Sequence, residues 1–205
     1  MKVEELVALP AAELAPRLLG WQLVRMEQGT RVVVEIHETE AYLGGPDRAS
    51  HSFDGRRTDR NESMWRAGGH LYVFLIYGMH HCLNVVSGEQ GAGEAVLLRA
   101  GRPVEGLSKM KGRRPAARHE RQLCSGPGRF AAALGIDRSW DGHDLRERGA
   151  LWLEPPKSQP EEGIRCGPRV GVEYAGHWAR RRLRFGLDPS QWRSQPPIEG
   201  PLWRL

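Results

Sequence analysis

Between Trp21 and Tyr42 the apolar and polar positions alternate with a period of two. WQLVRM and RVVVEIHETEAY, separated by EQGT, form the pattern of a two-stranded hairpin with one buried face. Upstream, LPAAELAPRLLG (9–20) repeats its apolar residues at helical spacing and stops at Gly20. HLYVFLIYGMHHCLNVVS (70–87) predicts a second hairpin turning near Gly78. Its first arm is apolar at both parities, the signature of a central strand buried on both faces. EAVLLRAG (94–101) predicts another strand, and VEGLSKMKG and GRFAAALGI predict two helices joined by a basic connection. LWLEPP, RCGPRVGVEY and LRFGL read as short late strands among frequent Gly and Pro. Strands gather in the middle with helices around them, and no steady βαβ alternation appears. That order predicts an α+β fold, a single compact domain over 1–205 with a largely antiparallel sheet.

One feature of the first hairpin breaks the expected pattern. Val32, Val34 and Ile36 share a strand face, and Glu38, Glu40 and Tyr42 continue the same parity. Unless a bulge intervenes, two carboxylates point where the apolar stripe points. Desolvating an unpaired carboxylate costs several kcal/mol, so such a group is either paired with an arginine or used chemically. A strand end emerging into solvent, or a buried Glu–Arg pair, is the structural reading. The chemical one is a general base at the rim of a cavity. A pair of glycosidase-type carboxylates fits less well, because neighbours on one strand face do not straddle a scissile bond.

Aromatic residues concentrate in the second hairpin: Tyr72, Phe74 and Tyr77, with Trp65 just before it. Core packing accounts for Tyr72. Tyr77 at the tip, beside Met79, His80 and His81, is expected to be exposed. Net charge is +5 with a pI near 9.4, and the excess is clustered in GRRTDR (55–60), KMKGRR (109–114) and ARRRLRF (179–185). Several arginine clusters on 205 residues point to a polyanion partner. An exposed aromatic among them can stack on a base or wedge between base pairs.

Other classes recede. No apolar run approaches the roughly 18 residues of a membrane span. The opening MKVEELVALP carries acids where a secretory leader carries bases, so a cytoplasmic protein is expected. Cys82, Cys124 and Cys166 form no CxxC and read as buried, reduced thiols. The eight histidines include no HExxH or HxH, which leaves a metal site unsupported. GPGRF (126–130) opens a helix without the Walker lysine or the Rossmann spacing, so it reads as a helix-opening turn.

The blocks ETEAYLGGPDRASHS, RTDRNESMW, LYVFLIYGMHHCLNVV, AVLLRA, LCSGPGRF and RVGVEYAGHWARRRLRF occur in this order. Together they resemble the alkyladenine (3-methyladenine) DNA glycosylase family of base-excision repair, over roughly Leu18 to Phe185. The resemblance implies a curved antiparallel sheet with peripheral helices. It also implies a monomeric enzyme that binds double-stranded DNA containing damaged purines and hydrolyses the N-glycosidic bond without metal or other cofactor. By the same resemblance Glu40 is the general base and Tyr77 the intercalating residue. Tyr42, His51 and Phe74 line the base pocket, Asn84 obstructs the exocyclic amine of guanine, and Arg99 lies near the flipped nucleotide and its phosphates. Phe74 stands where the family commonly has tyrosine, and Arg182 where proline is frequent. Hydrolysis of free nucleosides and non-catalytic nucleic-acid binding are the competing readings.

Overall fold

The structure is a computed structural model that describes residues 1–156, 163–188, 190 and 192–203. Two short helices, α1 (Val3–Val7) and α2 (Ala11–Arg17), precede the predicted hairpin of β1 (Gln22–Glu27) and β2 (Thr30–Tyr42). Its turn places Gln28 and Gly29 at φ of 49° and 75°, the positive-φ pair that matches strand twist in two-residue hairpins. The second hairpin follows as β3 (Leu71–Ile76) and β4 (His80–Ser87), then β5 (Glu94–Glu105), α3 (Leu107–Arg113) and α4 (Pro127–Leu134). Four short strands complete the described chain: β6 (Leu151–Glu154), β7 (Gly163–Gly167), β8 (Arg184–Asp188) and β9 (Leu202–Trp203).

All the pairings are antiparallel, in the open order β3-β4-β5-β2-β8-β7-β9, with β1 on β2 and β6 on β1. The fold is α+β, as the pattern predicts. One sheet face packs Leu71, Val73, Leu83, Val85, Val96 and Leu98 against Leu6, Leu14 and Leu18 of the N-terminal segment and Phe130 and Leu134 of α4. The alternate residues of β3, β4 and β5 leave the other face free to line a cavity. The three cysteines are buried and unpaired. Among the described residues no helix is long and apolar enough to cross a membrane.

Three expectations are corrected. First, β3 is the outermost strand of the sheet path rather than a central one. Its free edge is covered by the segment after α4: Val73 N–H donates to Asp141 Oδ1 at 2.8 Å and Leu71 N–H to the His143 carbonyl at 2.8 Å. Its doubly apolar pattern comes from core on one face and cavity wall on the other. Second, β7 ends at Gly167, so Arg169–Tyr174 is not strand but a loop entering a 3-10 turn at Glu173.

The third correction concerns the glutamates. The β2–β5 register shifts between Ile36 and Glu38, leaving His37 as an extra residue, and shifts back between Glu38 and Thr39. His37 and Glu38 are adjacent, yet both turn away from the main core. His37 Nε2 contacts Glu35 Oε1 at 2.7 Å, while Glu38 sits among Arg99, Arg184 and Ser194. Beyond the bulge the core face passes to Thr39, whose Oγ1 donates to the Ala15 carbonyl of α2, and to Ala41. The bulge therefore reverses the parity of the strand. Glu38, Glu40 and Tyr42 face the side opposite Val34 and Ile36, and neither of these two carboxylates enters the apolar core.

Candidate active site

The cavity-facing residues of β5 (Ala95, Leu97, Arg99), β4 (Cys82, Asn84) and β3 (Tyr72, Phe74), with Tyr42 and His51, surround a hollow of about 580 Å³. That is within the range of small-molecule sites. Tyr42, His51, Phe74, Tyr77, Asn84 and Arg99, scattered over 58 positions of sequence from 42 to 99, all line it. Glu40 lies behind this lining, 0% exposed, and three of its hydrogen-bond or ion-pair partners reach the wall.

Those partners fix the carboxylate in one rotamer. Oε1 accepts the backbone N–H of Val170 at 2.8 Å and faces Arg99 Nη1 at 3.2 Å. Oε2 accepts the Tyr42 hydroxyl at 2.9 Å. Burial, and then the adjacent Glu40 carboxylate, push the Tyr42 phenol well above its ordinary value, so it remains a donor. An arginine pair and a hollow coexist at this carboxylate, where the sequence set them as alternatives.

Arg99 lies on the cavity wall between two buried carboxylates. The residue is 5% exposed, and its guanidinium contacts Glu38 (Nε to Oε1, 2.9 Å), Glu40 and Ser194 Oγ (Nη2, 3.2 Å). It is the charge partner of both carboxylates. Burial opposes its charge, but Glu40 and Glu38 outweigh burial and raise its pKa. Glu38, also 0% exposed, is pulled the other way. Burial would raise its carboxyl, yet Arg99, Arg184 and the Ser194 donors hold it below the usual carboxylate range.

Two loops are tied together beside Glu40. Asp47, in the GGPD turn after β2, forms an ion pair with Arg169 in which both side chains are 0% exposed. Arg169 also donates to the Ala41 carbonyl at 2.9 Å and lays its guanidinium 4.7 Å from the centre of the Tyr42 ring. This links the loop that carries His51 to the loop that presents the Val170 N–H. It also means that one face of Tyr42 already carries a cation, so only the opposite face is open to a ligand.

The opposite wall is aromatic. Tyr72 and Phe74 stack at 5.3 Å, and the His51 ring meets Phe74 edge-on at 4.6 Å. His51 Nδ1 lies 2.7 Å from the Tyr72 hydroxyl. Burial against these rings, and then the nearby Arg60 and Arg56 charges, lower its pKa from the ordinary 6.5. Tyr72 is thus part of the cavity wall as well as of the core, which corrects its assignment to packing alone. The Asn84 amide is held by its Nδ2 donating to the Tyr72 carbonyl at 2.9 Å.

Tyr77 projects from the hairpin tip, 81% exposed, at φ of 52°. A non-glycine residue in the left-handed region costs about 1–2 kcal/mol. With Gly78 at φ of 68° and Met79 N–H donating to the Ile76 carbonyl at 3.2 Å, Tyr77 forms the positive-φ pair of a tight turn, as at Gln28–Gly29, and the turn holds the ring outward. His80 joins it at the cavity mouth, as do Gly126, Pro127 and Gly128 at the start of α4. The GPGRF turn therefore faces the hollow, which its sequence did not disclose. Arg114 and Arg129 stand at the rim, and Arg56, Arg57, Arg60, Arg180, Arg181 and Arg182 are exposed. The cationic clusters are not uniformly free: Lys109 and Arg113 pair with Glu27, and Arg184 is buried on Glu38.

A model of the methylpurine-DNA glycosylase (MPG) family matches residues 5–191. The chain is 46% identical over 194 residues to a Mus musculus protein named DNA-3-methyladenine glycosylase, covering 89% of this chain and 58% of that one. It is 46% identical over 193 residues to the Homo sapiens protein of the same name, covering 89% and 64%. A Myxococcus xanthus (strain DK1622) protein named putative 3-methyladenine DNA glycosylase is 45% identical over 197 residues, covering 96% and 95%. The chain belongs to the methylpurine-DNA glycosylase family. It spans less than two thirds of the length of the mouse and human relatives.

Proposed function

We propose that this protein is a DNA repair glycosylase that excises damaged purines of the 3-methyladenine, ethenoadenine and hypoxanthine class from duplex DNA. The observation that carries the reading is a wholly buried carboxylate, held by two hydrogen bonds and an arginine ion pair, behind an aromatic cavity whose mouth bears an exposed tyrosine. A purine rotated out of the helix occupies the hollow between the open face of Tyr42 and the His51–Phe74 wall. Tyr77 fills the gap left in the stack, and Asn84 crowds the position an exocyclic amine at C2 would occupy. Flipping costs a few kcal/mol, least for a base that already pairs badly, so damage itself contributes selectivity.

Glu40 acts as general base. It removes a proton from water as the water oxygen attacks C1′, and the base departs with the electrons of the glycosidic bond, leaving an abasic site. Arg99, Tyr42 and the Val170 N–H hold the carboxylate at its station, so its geometry is prepared before the nucleotide arrives. Alkylated purines leave readily because their positive charge weakens the bond. The exposed arginines bind the duplex backbone, and this contact weakens steeply with salt.

The test is Glu40→Gln in single-turnover release of hypoxanthine or ethenoadenine from duplex oligonucleotides, read by alkaline cleavage at the abasic site. The rate is expected to fall about 10²–10⁴-fold while lesion binding persists. A rate within a few-fold of the unsubstituted protein would refute the base assignment. No base release from any lesion by the unsubstituted protein would refute the activity.

A further inference from the structure

Behind Glu40 lies a second carboxylate that the reaction just described does not use. Glu38 Oε1 accepts from Arg99 Nε at 2.9 Å, Arg184 Nε at 2.7 Å and Ser194 Oγ at 2.8 Å, and Oε2 accepts the Ser194 backbone N–H at 2.5 Å. Ser194 Oγ in turn accepts from Arg99 Nη2 at 3.2 Å. Two carboxylates, Glu38 and Glu40, and two guanidiniums, Arg99 and Arg184, thus form a buried and charge-balanced group closed by one serine.

That serine belongs to a segment laid across the end of the sheet. Arg184 Nη2 donates to the Pro196 carbonyl at 2.6 Å, and Ile198 is buried against Gly186 and Gly167. Cys166 N–H donates to the Pro201 carbonyl at 3.1 Å, and Leu202–Trp203 pair with β7. A Cβ built on Gly200 would lie 1.7 Å from the Cys166 carbonyl oxygen, so the strand and the segment touch with no room between them. The family match ends at residue 191, so the whole of this brace lies beyond it.

We propose that Ser194 is a positioning residue that acts on Glu40 through Glu38 and Arg99; the inference rests on reading Glu40 as the base. Arg99 has to serve two buried carboxylates at once. While Ser194 supplies two donors to Glu38, the guanidinium is free to keep Nη1 on Glu40. Remove the hydroxyl, and Glu38 has lost a donor that no water can readily replace in a group with 0% exposure. Arg99 is then drawn toward Glu38, and the base loses its fixed station. Threonine keeps the hydroxyl; alanine does not.

The experiment compares Ser194→Ala, Ser194→Thr, Glu40→Gln and the double substitution Glu40→Gln/Ser194→Ala in the full chain. Single-turnover excision from an ethenoadenine duplex, duplex affinity and Tm are measured for each. Ser194→Ala is expected to slow excision on the order of tenfold, the effect of one hydrogen bond to a charged group, with affinity unchanged and Tm lowered by several degrees but still well above the assay temperature. Ser194→Thr restores the rate to within about twofold. In the Glu40→Gln background Ser194→Ala slows nothing further, because the residue it acts through has gone. An unchanged rate in Ser194→Ala overturns the proposal. So does equal slowing in both backgrounds, or slowing that follows a lowered Tm and is not rescued by threonine. A normal rate in Glu40→Gln alone overturns the base reading instead, so the two failures are told apart.

Discussion

Asp47→Asn tests the link between the two loops that hold Glu40 and His51. The two Asp47 oxygens accept the N–H groups of Leu43 (3.1 Å) and Ala49 (3.0 Å) together with Nη1 and Nη2 of Arg169. Asparagine has the same shape but offers one oxygen, and its amide points hydrogens at hydrogens. It also strands the Arg169 charge at 0% exposure. Breaking a buried pair from one side costs about 3–5 kcal/mol. For a chain of this size each kcal/mol lowers Tm by about 2–4 °C, so the expected fall is about 6–20 °C. Within the usual range of about 5–15 kcal/mol, a domain stable by more than about 7 kcal/mol stays folded at room temperature after such a loss, which allows the rate to be measured as well. Thermal melts at pH 7 read the stability, and excision below the transition should slow because the Val170 N–H loses its anchor. Adding Arg169→Met should recover part of the lost Tm, since no charge is then left without a partner. A fall of less than about 2 °C, or a double variant less stable than the single one, would refute the argument that this pair is desolvated and coupled.

Two further outcomes follow from the same geometry. Tyr77→Gly relieves the positive φ at the hairpin tip, so Tm should hold or rise while excision from duplex DNA falls; normal duplex activity would favour hydrolysis of free nucleosides. On acidification, stability should decline in stages. The folded His51 pKa lies below 6.5, so the unfolded chain takes up that proton first, and a shallow loss starts as pH drops through about 6.5. Glu38, held down against burial by Arg99 and Arg184, and Asp144, held at about 2 by its Arg146 hydrogen bonds, contribute stability that is complete above the unfolded carboxylate range. That stability is lost from about pH 4.5 toward about pH 2. A Tm that rises between pH 5 and pH 3 would contradict these assignments.

By itself the sequence determined the hairpins of β1–β2 and β3–β4, the helical spans around α2, α3 and α4, and the α+β class. Each is written in a period of two or 3.6 among residues close along the chain. Its ordered motifs also named the residues that meet at the hollow. Only the tertiary structure decided which face of β2 carries the glutamates. Parity counting assumes an unbroken strand, and the extra residue at His37 exists only in the register of β2 against β5. The same holds for Tyr72, whose second role appears once His51 is folded against it, and for Val170, which reaches Glu40 across 130 residues. Asp47 meets Arg169 across 122 residues and Ser194 meets Glu38 across 156. Partnerships of that kind leave no local period, because they are selected by the desolvation of charges whose neighbours are assembled by the folded chain.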